Sequence, residues 1–415
     1  MTVHILTIGD ELLLGQVVDT NSARMAQMLL EIGAKVVGKS AVADSREDIL
    51  AALDQASQKA GVVLITGGLG PTKDDRTKKV LAEYFGVGFV FHQPTLEWLN
   101  KLYERFDRVM TDSVRDQCFM PQNATVLPNK MGSAPGMWFE EKGKVFVSMP
   151  GVPYEMTYLM EYEVLPRLSR HFATTPTVYR TLLTAGEAES YIAEKLADFE
   201  NSLPPAVKLA YLPRIGQVRL RLTVSGTNEE QMQNLLDEKF AEMEGLLPPE
   251  LVAGYDDDVL EIAIGKLLKS KNLTLSTAES CTGGYLAHLI TSVPGSSAYF
   301  MGSVISYSNE VKMNQLHVSE KTLREHGAVS EQTVKEMVKG ALSLLKTNLA
   351  IAVSGIAGPD GGTPEKPVGT VWIAVGDRNT TETHQLKLGK DRLRNIQYSA
   401  IHALNMLRLF VGARY

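Results

Sequence analysis

Residues 277–284 read Thr-Ala-Glu-Ser-Cys-Thr-Gly-Gly. They follow an apolar, β-prone stretch (273–276) and precede a helix-like one (285–290). A small hydroxyl at a strand-to-helix turn is where α/β enzymes present a nucleophile. The N–H groups that open the next helix can bind an anion or stabilise developing negative charge. Downstream, Tyr307 and Lys312 follow a second strand-like run, 303–306. A serine with a lysine suggests a Ser-Lys hydrolase. Amide hydrolysis needs a nucleophile, a base and an oxyanion site. Ser280 is the expected nucleophile. Lys312 is the expected base, which requires burial or a positive neighbour to lower its pKa. Tyr307 can relay the proton or orient the lysine. Backbone N–H groups near Cys281 to Gly284 (Thr282, Gly283 and Gly284 among them), or those around Ser354 and Gly355, can bind the oxyanion. Arg394 can pair with a negative group on the substrate. Cys281 is the rival nucleophile, because thiolates form readily at helix N-termini. No His-Asn or His-Asp signature beside it suggests a papain-like arrangement.

A second set of polar turns lies in the first 160 residues. Residues 9–15 contain Asp10 and Glu11 and lead to Asp19-Thr20-Asn21. Residues 66–77 read Thr-Gly-Gly-Leu-Gly-Pro-Thr-Lys-Asp-Asp-Arg-Thr. Gly67, Gly68 and Gly70 let backbone N–H groups approach a phosphate closely. Asp74 and Asp75 can hold a hard divalent cation together with phosphate oxygens and water. Thr72 lies in the same cradle and, with Thr77, can cap the following helix. Residues 131–136 offer a third cradle, and residues 149–156 open a helix with Pro153 near its first position. Four such turns in one α/β domain predict a phosphate or nucleotide pocket. The glycine run lacks the Gly-Lys-Ser/Thr ending of a Walker loop and the spacing of a dinucleotide fingerprint.

The elements that must position these residues fall into three parts. Residues 1–172 alternate strands (3–8, 35–38, 62–66) with helices (21–32, 46–59), which predicts a parallel sheet covered by helices. Residues 173–252 read as a small α+β unit of strand (178–183), helix (187–199), strands (206–212, 218–224) and helix (229–246). It carries no chemical constellation, and a structural or dimerising role is expected. Residues 253–415 form another α/β domain ending in a helix over 391–409.

Bulk properties agree with this division. A chain of 415 residues is too long for one ordinary core. Apolar residues at 44% against 22% charged suit globular cores. The net charge of -6 argues against general binding to nucleic acid or membrane surfaces. Two cysteines, Cys118 and Cys281, make no disulfide framework and suit a reducing compartment. The first residues lack the basic and apolar segments of a signal peptide, so a cytoplasmic location is expected.

The two sets of motifs resemble the competence/damage-inducible CinA family. The turns of residues 1–170 resemble its molybdopterin-binding-like domain, which is associated with metal-dependent ADP-ribose pyrophosphatase activity. That resemblance implies that Gly67 to Gly70 cradle phosphate, Asp10 and Glu11 sit at the pocket edge, and Asp74 and Asp75 support a divalent metal. One departure stands out. The family commonly reads Asp-Asp-Leu-Thr-x-Glu, whereas residues 74–79 read Asp-Asp-Arg-Thr-Lys-Lys. Lys79 reverses a charge beside the expected metal site. The resemblance over residues 277–284, 292–297, 306–312, 327–330 and 353–371 is closer. Similar domains are nicotinamide mononucleotide deamidases, which release ammonia and need no cofactor. It implies functional positions at Ser280, Tyr307, Lys312 and Arg394. It also admits a homodimer, and a competence- or damage-linked regulatory role with a recombinase partner as the alternative reading. A molybdopterin-related enzyme is a further alternative.

Overall fold

The computed structural model describes residues 1–70, 76–107, 109–172 and 177–415. Thr72, Asp74 and Asp75 therefore lie outside the described residues. The chain packs as two units, Met1–Val178 with Ser225–Met232, and Tyr179–Val224 with Gln233–Tyr415.

The first unit is built on a six-stranded sheet. Its order is Lys35–Val42, Thr2–Ile8, Val62–Thr66, Lys144–Met149, Gly136–Glu141, Thr125–Leu127. The first four strands are parallel, and the last two are antiparallel additions. The parallel sheet expected from sequence thus carries an antiparallel edge, because a tight turn at Lys142-Gly143 reverses the chain. Strands buried on both faces need continuous apolar runs. Val62–Thr66 is buried at every position. Val62 and Leu64 pack on one side with Val3 and Ile5, while Val63 and Ile65 pack on the other with Leu6 and Ile8. Three of the four polar turns leave the carboxyl ends of parallel strands, the side where open α/β sheets bind ligands, and the 131–136 turn joins the two antiparallel additions.

The second unit joins the middle segment to the C-terminal domain. The middle segment is a four-stranded sheet with helices Glu189–Ser202 and Glu229–Gly245. Arg408, on the last helix, donates to the carbonyls of Val252 and Glu250 and ties that helix to the segment. The C-terminal sheet has the order Phe300–Ile305, Leu275–Glu279, Leu349–Gly355, Thr370–Gly376, Thr381–Lys387. Its first three strands are parallel and the rest antiparallel. One face of Leu349–Gly355 presents Leu349, Ile351 and Val353, and the other presents Ala350 and Ala352. Small side chains on the second face let helix Glu331–Leu345 lie close. Gly340 of that helix meets the carbonyl of Leu316, and a Cβ there would sit 2.1 Å from the oxygen. This close approach seats helix Asn309–Leu316, which carries Lys312.

Candidate active site

Strand Leu275–Glu279 is central and wholly buried. Its register continues one residue further, where Ser280 N–H donates to the carbonyl of Val353 at 2.9 Å. The chain then turns through Gly283 (φ 60) and Gly284 (φ 100), left-handed conformations that glycine adopts without strain. This turn leaves Ser280 at the strand's carboxyl end, 8% exposed.

Lys312 reaches it from the neighbouring helix. Ser308 caps that helix by accepting from Val311 N–H. Lys312 and Leu316, four residues apart, form its buried face. Lys312 is 1% exposed, and its Nζ lies 3.0 Å from Ser280 Oγ and 2.7 Å from the Ser306 carbonyl. Among the described residues no carboxylate forms an ion pair with it. Burial therefore pulls its pKa below the ordinary lysine value, opposed only by Cys281. The expected nucleophile and base do meet.

Cys281 does not compete. Burial pushes its thiol up to about 12, so the thiolate is scarce near neutral pH. The expected anion site at the helix N-terminus is narrowed to its first residues. Glu279, fully buried, accepts from Gly284, Leu286 and Ala287 N–H at 3.0, 3.1 and 2.8 Å. The carboxylate caps helix Tyr285–Thr291 from within and takes up the donors an anion would need. Gly283 N–H donates to the Ser280 carbonyl. Gly283 and Gly284 thus shape the turn and are not oxyanion donors. Among the described residues, no other residue accepts from the N–H groups of Cys281 or Thr282, so they are the donors left to bind an oxyanion. The Thr282 hydroxyl is buried without a partner beside them.

The expectations for Tyr307 and for the Ser354-Gly355 segment need correction, while Arg394 stays available. Tyr307 is 62% exposed and, among the described residues, makes no hydrogen bond to Lys312; its hydroxyl accepts from Arg392 at 2.9 Å. Arg394 is exposed, its backbone N–H donates to the Asp391 cap, and its side chain has no partner among the described residues. Arg392 instead bridges the Tyr307 hydroxyl and the Gly358 carbonyl. Both arginines open the same helix, Arg392–Arg414, and sequence offered no reason to prefer the first. Ser354 is buried and donates its hydroxyl to the Ala328 carbonyl at 2.7 Å, which fixes the adjoining loop. Gly355 pairs with Val371, whose Cγ2 a Cβ would meet at 2.6 Å.

In the first unit the four polar turns converge as expected. They enclose a cleft of about 480 Å³ lined by Glu11, Asp19, the 66–70 turn, Ser133 and the 150–153 turn. Gly67 and Gly68 are both left-handed. A Cβ on Gly67 would lie 2.1 Å from the Ile8 carbonyl, so only glycine fits. Asp10 is turned away from the role expected of it. Its N–H donates to Asp44, and its carboxylate accepts from Asp44 N–H. Asp19 accepts from Thr7 and from Ser22 N–H. Glu155, which sequence did not single out, is buried on the cleft wall and accepts from Asn129 at 2.6 Å. Burial raises its pKa above the ordinary carboxylate value, against that hydrogen bond. No three His, Cys, Asp or Glu side chains group as a metal site among the described residues. Asp74 and Asp75, the residues expected to hold a divalent ion, lie outside the described residues.

Comparison with known proteins agrees with this architecture. Residues 4–170 match the model for a probable molybdopterin binding domain, residues 179–250 the damage-inducible protein CinA KH domain, and residues 257–411 the CinA C-terminal domain. The protein is thus a three-module α/β chain of the molybdopterin-binding-like, KH and CinA C-terminal type. It is 46% identical to a CinA-like protein of Cytophaga hutchinsonii over 97% of this chain and 96% of that one. It is 40% identical to a putative competence-damage inducible protein of Caldicellulosiruptor bescii over 98% of each. A solved competence/damage inducible protein CihA of Agrobacterium tumefaciens is 40% identical, with a TM-score of 0.36, covering 37% of this chain and 93% of that one. The chain belongs to the CinA family. Among the described residues no helix is long and apolar enough to cross a membrane.

Proposed function

We propose that the C-terminal domain hydrolyses the carboxamide of nicotinamide mononucleotide, giving nicotinic acid mononucleotide and ammonia. The observation that carries this reading is the 3.0 Å contact between Ser280 Oγ and a buried Lys312 without a carboxylate partner. Neutral Lys312 keeps an N–H on the Ser306 carbonyl and turns its lone pair to the serine hydroxyl. It takes the serine proton as Oγ attacks the carboxamide carbon. The N–H groups of Cys281 and Thr282 receive the oxyanion. The protonated lysine then returns the proton to the departing nitrogen, and ammonia leaves an acyl ester on Ser280. Water, deprotonated by Lys312, hydrolyses the ester and frees the acid. Arg392 fixes Tyr307 at the rim, while the exposed Arg394 is free to meet the substrate phosphate.

The test uses the whole protein with nicotinamide mononucleotide, following ammonia release and acid formation together. Turnover that disappears in Ser280→Ala supports the reading. A wild-type protein that releases no ammonia overturns it and favours a binding or regulatory role.

The N-terminal cleft is assigned to the diphosphate of ADP-ribose, on the strength of its left-handed Gly67-Gly68 turn. Both ligands arise from NAD breakdown, which gives one chain reason to hold both domains.

A further inference from the structure

Glu279 ends strand Leu275–Glu279 and is fully buried. Among the described residues no ammonium or guanidinium forms an ion pair with it. Five hydrogen donors converge on its carboxylate instead. Oε2 accepts from the N–H groups of Gly284 and Leu286, and Oε1 from that of Ala287. Oε1 also accepts from the Thr277 and Ser303 hydroxyls, each at 3.4 Å. Thr277 lies on the same face of the strand as Glu279, and Ser303 stands opposite Thr277 on the neighbouring strand. A helix cap ordinarily comes from the residue just before the helix. Here that residue is Gly284, which has no side chain to offer, so the cap comes from further back along the chain.

The consequence reaches the turn in between. Because the carboxylate holds the Gly284 N–H, a side chain closes residues 280–283 into a ring. Ser280 and the N–H groups of Cys281 and Thr282 all lie within that ring. Helix Tyr285–Thr291 has seven residues, too short to hold its own shape in water. Without the carboxylate, the N–H groups of Gly284, Leu286 and Ala287 lose their acceptor. The main chain of the same residue reaches the base. The Glu279 carbonyl accepts from Ser306 N–H at 2.7 Å, and the Ser306 carbonyl accepts from Lys312 Nζ.

We propose that Glu279 is a positioning residue for deamidation. Its carboxylate holds the N–H groups of Cys281 and Thr282 toward the oxyanion, without itself touching the substrate. The role needs two oxygens that only accept. Glutamine has the same reach but one such oxygen, and its NH₂ group would face a backbone N–H. The inference rests on the deamidase reading of the same site.

The experiment compares deamidation by the full-length protein with that of Glu279→Gln. kcat is expected to fall about 10–100-fold while KM stays within about twofold. The pH dependence should keep its position, because Lys312 is untouched. A second probe is the nicotinamide mononucleotide analogue with an aldehyde in place of the carboxamide. Ser280 Oγ adds to its carbon, the serine proton passes to Lys312, and the carbonyl oxygen becomes the bound oxyanion. Its affinity should fall by about the factor lost in kcat/KM, while affinity for the product, nicotinic acid mononucleotide, stays unchanged. Wild-type kcat in Glu279→Gln overturns the proposal. So does an equal loss of aldehyde and product binding, which marks a general collapse of the pocket. If Glu279→Gln does not fold, the double variant Thr277→Val/Ser303→Ala decides. It removes two donors from Oε1 and spares the helix N–H groups. A kcat lowered about threefold or more at unchanged KM is expected, and an unchanged kcat overturns the proposal. Wild-type protein that releases no ammonia removes the deamidase reading and the proposal with it. Active wild type with an unaffected Glu279→Gln removes the proposal alone.

Discussion

The two candidate sites use the same end of similar sheets but different materials. The C-terminal site is made of side chains closed away from water: Ser280, Lys312 and Glu279 are all buried. The N-terminal cleft is made largely of backbone, with glycines whose left-handed turns bring N–H groups to a surface. A step that forms a covalent bond needs a proton acceptor of altered basicity, and burial of a lysine supplies one. Binding a phosphate needs only donors in the right directions, and backbone supplies those without shifting any pKa. The comparison can be broken by substitutions that separate chemistry from binding.

The largest effect is expected at Ser280. Ser280→Ala should lower deamidation by about 10⁴-fold or more, since nothing else can form the acyl ester. ADP-ribose binding should not change. Equal loss of both would mean that the two regions are not independent.

Lys312→Met comes next. It keeps the volume and removes the base, so turnover should fall by about 10²–10⁴-fold. Thermal stability should hold or rise, because an unpaired buried amine is replaced by an apolar group. The pH dependence follows from the same burial. Lys312 titrates below its ordinary 10.5 in the folded protein. Below its folded pKa it is an ammonium and cannot accept the serine proton. Thus kcat/KM should rise with pH and level off before 10.5. Stability runs the same way, because the unfolded lysine binds a proton more tightly than the folded one. Stability should fall as pH drops from 10.5 to the folded value and then stay flat. Lys312→Met should remove that dependence. A rate profile that climbs to 10.5 or beyond would show Lys312 to be solvated.

Backbone substitutions sharpen the contrast. Gly67→Ala places a Cβ 2.1 Å from the Ile8 carbonyl at φ 110. It should destabilise the first unit by about 2–4 kcal/mol and abolish ADP-ribose binding. Deamidation should persist at temperatures where the second unit stays folded. Gly340→Ala should do the reverse. It pushes on Leu316, at the end of the Lys312 helix. Turnover should drop more than tenfold, since misplacing a catalytic group by about 1 Å can cost 10²-fold.

How much of this was legible in the sequence differs by residue. Ser280 and Lys312 could be read because each follows a strand signal and their chemistry is complementary. The antiparallel edge of the first sheet was not legible, since short strands such as Thr125–Leu127 carry no periodicity of their own. Tyr307 was misassigned because five residues of spacing to Lys312 suggested proximity. Its actual partner, Arg392, is 85 positions away. Glu279 stands beside the nucleophile in sequence, and an acid there suits a capping role. That its carboxylate takes three helix N–H groups depends on the left-handed turn at Gly283-Gly284, which fixes the direction of the helix. Glu155 was passed over because burial, not type or spacing, sets it apart.

A smaller effect is expected at the rim. Tyr307→Phe removes the acceptor for Arg392 and leaves Lys312 untouched. Turnover should fall by less than about tenfold, the scale of one exposed hydrogen bond. The pH profile should keep its position. A shifted profile would return Tyr307 to the proton relay.

Cys281→Ala should have the smallest effect, though the residue adjoins the nucleophile. Its thiol is buried, and with a pKa near 12 it is almost entirely protonated at neutral pH. Its backbone N–H, which alanine keeps, is the group assigned to the oxyanion. Turnover within about threefold of wild type is expected, with a modest stability loss from the missing sulfur contacts. Iodoacetamide should accordingly modify Cys281 slowly and leave deamidation intact while the protein stays folded. Rapid inactivation by alkylation, together with an inactive Cys281→Ala, would move the nucleophile one residue along the turn. Lys312 would then serve as its partner, and the serine as a neighbour.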